Sequence, residues 1–250
     1  MPGAVPILTW HALDDGGSVI ATPVARFRAQ IRALGERRFQ AITLRELLDA
    51  WEAGTPLPPR PVVLTFDDGF RSVLEVAAPI LEQAGYRATV FAVAGYCGRR
   101  NAWPGQGPGI PALPLLSPAE LRSLVALGFE VGAHGVRHAR LDRLSVTEAE
   151  REIAESGRFL ADALGREVTV FAYPYGRTTP VVRRLAAAYY RAACTDELRV
   201  ASSGHDRHAL GRLDMYYYRD PRRFRWFATA WGDRYLGLRR LGRRLRALGT

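Results

Sequence analysis

The chain has 250 residues, of which 48% are hydrophobic and 24% are charged. This composition excludes gross disorder and allows one domain with a large buried core. The formal net charge of +10 favours anionic partners, and the lack of any nucleic-acid-binding motif makes nucleic acid the least favoured of them. The sequence contains no signal-peptide pattern and no apolar run of about 18 residues. We therefore expect a cytoplasmic protein.

Segments typical of strands alternate with segments typical of helices along the whole chain. Thr22, which precedes Pro23, is predicted to cap the first helix. Thr43 and Ser117 begin sequences that match the capping box, and Ser145 opens a longer amphipathic helix. The β-rich runs are residues 5–10, 62–66, 88–93, 129–131, 168–171 and 191–194. This alternation predicts an α/β fold in which helices cover a parallel sheet, and we favour a closed or nearly closed barrel over an open doubly wound sheet.

Residues 1–232 are predicted to form a single domain, and residues 233–250 a basic amphipathic tail. The longest irregular stretch, residues 98–114, contains Trp103 together with four prolines and four glycines. A loop of this length in a compact domain is usually functional or mobile. It lies between a strand and the next helix, on the side where the active sites of barrels form.

Two adjacent carboxylates, Asp67 and Asp68, follow the buried run 62–66 and precede Gly69. Ligands bind at the carboxyl ends of strands in parallel α/β sheets. Because neighbouring carboxylates repel each other, a cation or a proton should lie close to them. We interpret this motif as functional, although a single Asp-Gly pair more often forms a simple turn.

Two histidines, His134 and His138, follow another strand-like run at a spacing that many zinc sites use. One carboxylate and two imidazoles form a common catalytic metal set with a position left open for water. Such a set suits Zn²⁺ and also accepts Co²⁺, Ni²⁺ or Fe²⁺. A third strand end, residues 171–176, carries the aromatic turn Tyr173-Pro-Tyr-Gly176, which is interpreted as a pocket wall.

These motifs resemble those of the polysaccharide deacetylase (NodB-homology, carbohydrate esterase) family. The resemblance rests on residues 65–69, the paired histidines and residues 173–176, in that order. The opening residues 8–11 and the closing residues 210–213 are similar to that family as well, and the early Trp-His strand resembles its permuted form. The family implies a distorted (β/α) barrel that removes the N-acetyl group from N-acetylhexosamine units of a polysaccharide, an oligosaccharide or a glycan precursor.

The resemblance also implies a role for each motif residue. Asp67 would be the catalytic base, and Asp68, His134 and His138 would bind one divalent metal ion, preferably Zn²⁺. The metal would lower the pKa of a water molecule towards about 7 and polarise the amide carbonyl. The turn formed by Tyr173, Pro174 and Tyr175 would contact the substrate and supply a backbone N–H to the oxyanion.

Two features depart from the family pattern. The aromatic turn of many members carries an arginine that orients the base, but this chain has Ala172 there, and we expect Arg212 to substitute from the last strand. Many members also supply a general-acid histidine from a late strand that has no good match here. Because permuted members use an early strand, His11 is the first candidate for the acid, followed by His208 and then His205.

Other functions and partners stay open at this point. The same chemistry would serve a deacylase, for example a deformylase, of a lipid-linked sugar at the inner membrane face, and a catalytically impaired relative would only bind carbohydrate. Leucines and arginines alternate in the tail, a pattern that would place a helix peripherally on an anionic membrane at that face. Ordinary packing of the tail against the domain explains the leucines equally well.

Overall fold

A computed structural model describes residues 4–248; side chains at residues 221, 230, 233 and 243–248 lie outside this description. The strands are β1 (Ile7–Trp10), β2 (Ala12–Leu13), β3 (Ala21–Thr22), β4 (Gln40–Ile42), β5 (Pro61–Phe66), β6 (Thr89–Ala92), β7 (Glu130–Ala133), β8 (Val170–Ala172), β9 (Ala192–Cys194) and β10 (Leu213–Asp214). The α-helices are α1 (Val24–Glu36), α2 (Leu44–Ala53), α3 (Ala78–Gln83), α4 (Pro118–Ala126), α5 (Val146–Leu164), α6 (Pro180–Tyr189), α7 (Pro221–Phe224) and α8 (Ala230–Leu248).

The main sheet has the strand order β10-β1-β5-β6-β7-β8-β9, and all of its neighbouring strands are parallel. The short strand β4 pairs with the first half of β5, and β2 and β3 form a separate pair. Leu210 bridges to Cys194 of β9, while β10, three residues later, pairs with β1. Residues 210–214 therefore contact both ends of the main sheet, which curls into a distorted (β/α) half-barrel. The predicted fold class is confirmed.

Side chains alternate between the two faces of this sheet, as they do in any strand. Leu8 of β1 and its partner Leu64 of β5 pack in the main core together with side chains of the outer helices. Ile7 and its partner Val63 belong to a second cluster on the opposite face. The side chain of Thr65 points to the same face of β5 as that of Val63. This second face therefore extends to the carboxyl end of β5, which the functional carboxylates were predicted to follow.

The predicted capping boxes are confirmed at the starts of α2 and α4, and a third caps α5. In each, the side chain of the Thr or Ser cap accepts a backbone N–H from a Glu whose carboxylate accepts the N–H of the cap. The prediction that Thr22 caps α1 is wrong. Thr22 pairs in β3, and Pro23 occupies the cap position without a side-chain hydrogen bond.

The helix α8 includes most of the predicted tail and begins at Ala230. Leu236 is buried against the main core, and the Tyr235 hydroxyl donates a hydrogen bond to the carbonyl of Tyr217. The domain boundary at residue 232 stays a prediction. Within residues 4–248, no helix combines the length and the apolar character that crossing a bilayer requires.

Candidate active site

The predicted motifs meet in one cleft with a cavity volume of about 360 Å³. It lies at the carboxyl ends of the parallel strands, where barrel enzymes place their catalytic groups. Asp67 and Asp68 directly follow β5, and His134 directly follows β7. Arg212 directly precedes β10 on the segment that joins the two ends of the sheet. Side chains far apart in the sequence are thus brought together by the curl of the sheet.

Asp67 and Arg212 form a buried, two-pronged ion pair. The Nη1 and Nη2 atoms of Arg212 donate to Oδ1 and Oδ2 of Asp67 over 2.6 Å and 2.7 Å. Arg212 also donates from Nε to the carbonyl of Thr195 over 3.1 Å, which fixes the plane of the guanidinium. Burial alone would raise the pKa of the Asp67 carboxyl, but the charges of Arg212 and His134 and the hydrogen bonds from Arg212 together outweigh burial and lower it. Asp67 is therefore held ionised, in one orientation.

Asp68 faces a different set of partners because the chain turns sharply at this residue. Its φ of 71° is left-handed, a conformation that costs a non-glycine residue roughly 1–2 kcal/mol. Asp68 Oδ1 lies 3.4 Å from Nε2 of His134 and 3.3 Å from Nε2 of His138. Burial raises the pKa of Asp68, but these two imidazoles outweigh burial and hold it well below its ordinary value. The turn thus gives the two adjacent carboxylates separate cationic neighbours.

The two imidazoles are positioned by contacts on their far sides. His134 Nδ1 lies 2.7 Å from the carbonyl of Ala172, which only a protonated Nδ1 can satisfy, so Nε2 is left as a ligand atom. The ring of His138 packs against two aromatic rings, and its centroid lies 4.4 Å from that of Trp103 and 4.5 Å from that of Tyr175. Burial lowers the pKa of His138 and so favours the neutral imidazole that binds metals.

Asp68, His134 and His138 fit a divalent metal ion. One ligand atom from each lies within 4.8 Å of the other two, and all three residues are buried. Asp68 Oδ1 has no hydrogen-bond partner among the described residues, although the two histidine nitrogens are close to it. A buried carboxylate oxygen without a donor is costly unless a cation binds there. The donor set suits Zn²⁺, and Co²⁺, Ni²⁺ and Fe²⁺ accept the same ligands.

Glu152 of α5 supports the segment between the two histidines. Its buried Oε2 accepts the backbone N–H groups of Val136 and Arg137, each over 2.9 Å. Its Oε1 accepts Nε of Arg137 over 2.6 Å. A single carboxylate therefore fixes the turn whose two ends carry His134 and His138.

Replacing Glu152 with alanine is expected to lower zinc affinity by roughly 10–100-fold, a range typical for residues that orient metal ligands. The change leaves two backbone donors without acceptors and should also lower the free energy of unfolding by about 1–3 kcal/mol. Zinc titration against a competing chelator and thermal unfolding measure both effects. Glu150→Ala is the matched control, since that carboxylate on the same helix bonds Tyr189 at the surface. Equal zinc affinities in the two variants would contradict this role.

The loop of residues 98–114 adds two polar side chains to the cleft that the sequence analysis did not identify. Oδ1 of Asn101 accepts the N–H of Leu113, and Nε2 of Gln106 donates to the carbonyl of Ile110. These bonds orient both amides, and Asn101 Nδ2 and Gln106 Oε1 are left buried without partners among the described residues. The loop therefore offers a substrate one donor and one acceptor. Its length was the available signal in the sequence.

The structure places the three candidate acid histidines in different environments. His11 lines the cleft, and its Nε2 lies 4.0 Å from Oδ2 of Asp67. His208 lies outside the cleft, where its Nε2 contacts the carbonyl of Tyr190 over 2.9 Å. His205 lines a separate cavity beside α8. Of the three, His11 is within reach of a substrate bound in the cleft.

Within the aromatic turn, Tyr175 faces the cleft. Tyr173 is buried, and its hydroxyl donates to the carbonyl of His208 over 2.9 Å. The N–H of Tyr173 bonds to Cys194, that of Gly176 bonds to Tyr173, and Pro174 has no N–H. The N–H of Tyr175, where the backbone is left-handed with a φ of 59°, makes no hydrogen bond within residues 4–248. This group is the donor that the turn can offer to an oxyanion.

Comparisons with known sequences identify the family of the chain. The polysaccharide deacetylase family model matches residues 54–192, which include Asp67, Asp68, His134 and His138. YxkH of Bacillus subtilis (strain 168), itself assigned to the polysaccharide deacetylases, is 24% identical over 213 residues, or 85% of this chain and 71% of YxkH. The poly-beta-1,6-N-acetyl-D-glucosamine N-deacetylase of Staphylococcus aureus (strain NCTC 8325 / PS 47) is 26% identical over 178 residues. That match spans 66% of this chain and 58% of the length of the staphylococcal protein.

A solved structure shows the same fold. IcaB from Ammonifex degensii superposes with a TM-score of 0.76 at 24% identity, covering 90% of this chain and 97% of that protein. The superposition covers most of the chain, and the family model covers more than half of the sequence. The chain therefore belongs to the polysaccharide deacetylase family, a family of hydrolases.

Proposed function

We propose that this chain is a metal-dependent hydrolase that removes the N-acetyl group from N-acetylhexosamine units of a polysaccharide, an oligosaccharide or a glycan precursor. The observation that carries the proposal is the pairing of Asp67 with Arg212 directly beside the group Asp68, His134 and His138. One carboxylate is held ionised and free of the metal group, while its neighbour belongs to that group. The staphylococcal relative, which acts on a polymer of N-acetylglucosamine, supports the substrate class.

Within this proposal, a divalent cation held by Asp68, His134 and His138 supplies a Lewis acid that activates water and polarises the acetamide carbonyl. Asp67 accepts the proton of the attacking water, and Arg212 keeps its carboxylate in position and ionised.

The other groups of the cleft act on the carbonyl oxygen and on the leaving amine. The N–H of Tyr175 donates to the negative charge that develops on the carbonyl oxygen. Protonated His11 donates a proton to the sugar nitrogen as the carbon–nitrogen bond breaks, which releases acetate and a free amine. Both steps use groups that already line the cleft.

The shape and polarity of the cleft suit a sugar. A volume of about 360 Å³ lies in the usual range for small-molecule sites. Asn101 Nδ2 and Gln106 Oε1 offer a donor and an acceptor for hydroxyl groups, while Trp103 and Ile110 offer apolar surface to the ring. The aromatic turn of this chain lacks the arginine that orients the base in many family members, and Arg212 contacts Asp67 in its place. This substitution favours an active enzyme over an impaired carbohydrate-binding relative.

The test is acetate release from N-acetylglucosamine oligomers before chelation, after chelation and after zinc is restored. We expect release that falls with the chelator and returns with zinc. Release that persists after complete metal removal would contradict the metal dependence. One metal bound per chain without acetate release would reject this substrate and favour another acyl group, such as formyl, on a lipid-linked sugar. Neither metal nor release would favour the carbohydrate-binding relative.

A further inference from the structure

The positive charge of the protein is concentrated at its C-terminal end. Residues 221–250 contain nine arginines and one aspartate, so they carry +8 of the formal +10 of the whole chain. The chain has no lysine, and each of its 35 basic residues is an arginine. Arginine binds phosphate groups through two parallel hydrogen bonds, which a lysine cannot do.

The helix α8 packs on the protein body through Leu236 and carries an exposed apolar stripe on another side. Leu236 is buried in the main core, while the half-buried Tyr235 lies at the border of the two sides and donates its hydroxyl to the carbonyl of Tyr217. Trp231, Leu238 and Leu241 are 67%, 71% and 56% exposed. Their spacing of seven and three residues places them on one line of a helix. Because these three side chains are exposed, packing on the domain explains Leu236 but leaves the stripe unexplained.

This exposed stripe is continuous with further aromatic and basic surface. Trp226, just before α8, is 41% exposed and lies 6.0 Å from the ring of Tyr235. Arg222, Arg225 and Arg234 are exposed close by in the sequence. Soluble proteins rarely expose a line of large apolar side chains unless it binds something. An apolar stripe flanked by arginines, with tryptophan at one end, is typical of helices that lie in a membrane interface.

We propose that α8 binds the surface of an anionic phospholipid bilayer and holds the enzyme there peripherally. Trp231, Leu238 and Leu241 would enter the boundary between headgroups and acyl chains, while the arginines beside them pair with lipid phosphates. A nucleic acid offers phosphates but no apolar phase, so it would leave the stripe in water. The bilayer satisfies both parts of the surface. This inference stands apart from the proposed function, because none of the α8 side chains that the structure describes lines the cleft.

The apolar contribution is tested by sedimentation of the full-length protein with vesicles of phosphatidylcholine, with and without about one third phosphatidylglycerol. The wild-type chain should bind the anionic vesicles and bind pure phosphatidylcholine weakly. The triple variant Trp231→Ser, Leu238→Ser, Leu241→Ser should lose more than tenfold in affinity. A matched triple variant, Val146→Ser, Phe159→Ser, Val181→Ser, removes exposed apolar residues on other helices and should bind as the wild type does.

The charge contribution is tested by Arg234→Gln and Arg240→Gln, each of which should weaken binding to anionic vesicles by about fivefold. Absent binding of the wild-type chain to anionic vesicles would overturn the proposal, as would a serine triple variant that binds them like the wild type. Binding to duplex DNA that falls with the arginine changes but not with the serine triple, together with weak vesicle binding, would assign the surface to nucleic acid instead. Because none of the substituted side chains lines the cleft, acetate release should be unchanged in solution.

Discussion

Asp67→Asn is expected to reduce acetate release by roughly 10²–10⁴-fold, the usual contribution of a general base. The amide cannot accept the proton of the attacking water, whereas the metal group of Asp68, His134 and His138 remains intact. One metal per chain should therefore stay bound in a variant that has lost its activity. Acetate release and metal content measured on the same preparation check both parts.

Two control variants separate the base from the metal site. Asp68→Asn should lose both metal and activity, because it removes the carboxylate that the two imidazoles face. Asp142→Asn breaks a partly exposed ion pair with Arg140 and should change neither. If Asp67→Asn keeps activity close to that of the wild type while it is folded and loaded with metal, the assignment of the base is wrong.

The different surroundings of Asp67 and Asp68 have a physical cause that the sequence contained only in part. Two neighbouring carboxylates predict a nearby cation, and a strand end predicts a ligand site. The structure gives each carboxylate a different partner: Arg212 lies beside Asp67, and the two imidazoles lie beside Asp68. The left-handed backbone at Asp68 turns the second carboxylate away from the first. Sequence spacing does not encode this turn, although the following glycine is compatible with it.

Local patterns were sufficient for the parts of the fold that depend on neighbouring residues. The long buried strand β5 and the capping boxes could be predicted because their signals lie within a few positions of one another. The strands β2, β3, β4 and β10 have only two or three residues and no such pattern, since they exist through pairing with distant segments. Thr22 was predicted to be a cap for the same reason: its pairing partner in β2 is not evident locally.

Parts of the site that depend on long-range packing were only partly accessible. Arg212 was suggested by the missing arginine at Ala172, but its contact with Asp67 joins residues 145 positions apart and depends on how the sheet closes. Asn101 and Gln106 could not be found, because their unpaired atoms result from hydrogen bonds inside an irregular loop. The acid role of His11 and the permuted form of the family stay predictions.

The buried ion pair of Asp67 and Arg212 should contribute strongly to the stability of the folded protein. Arg212→Met should lower the free energy of unfolding at neutral pH by about 3–5 kcal/mol, because it leaves the buried carboxylate of Asp67 without its partner. Arg183→Met is the matched control. It breaks a partly exposed pair with Asp206 that should contribute at most about 1 kcal/mol. Denaturant unfolding of the two variants at several pH values provides the comparison.

The pH dependence has a defined sign. In the wild type the pKa of Asp67 lies below its ordinary value of 3.8, so the contribution of the pair to stability is complete above 3.8 and is lost as the pH falls through the lower, folded-state value. Without Arg212, burial is opposed less and the pKa of Asp67 should rise. The stability difference between wild type and Arg212→Met should therefore shrink as the pH falls, since protonation then removes the unpaired charge.

The same change in pKa should appear in catalysis. Because the base must be ionised, the acidic limb of the kcat/KM profile should move to higher pH in Arg212→Met. Arg212→Lys should give an intermediate profile, because one ammonium restores the charge but not the two parallel hydrogen bonds. A side chain that only filled space would leave the acidic limb where it is in the wild type. An unchanged limb in a folded, metal-loaded Arg212→Met variant would therefore show that Arg212 does not control the ionisation of Asp67.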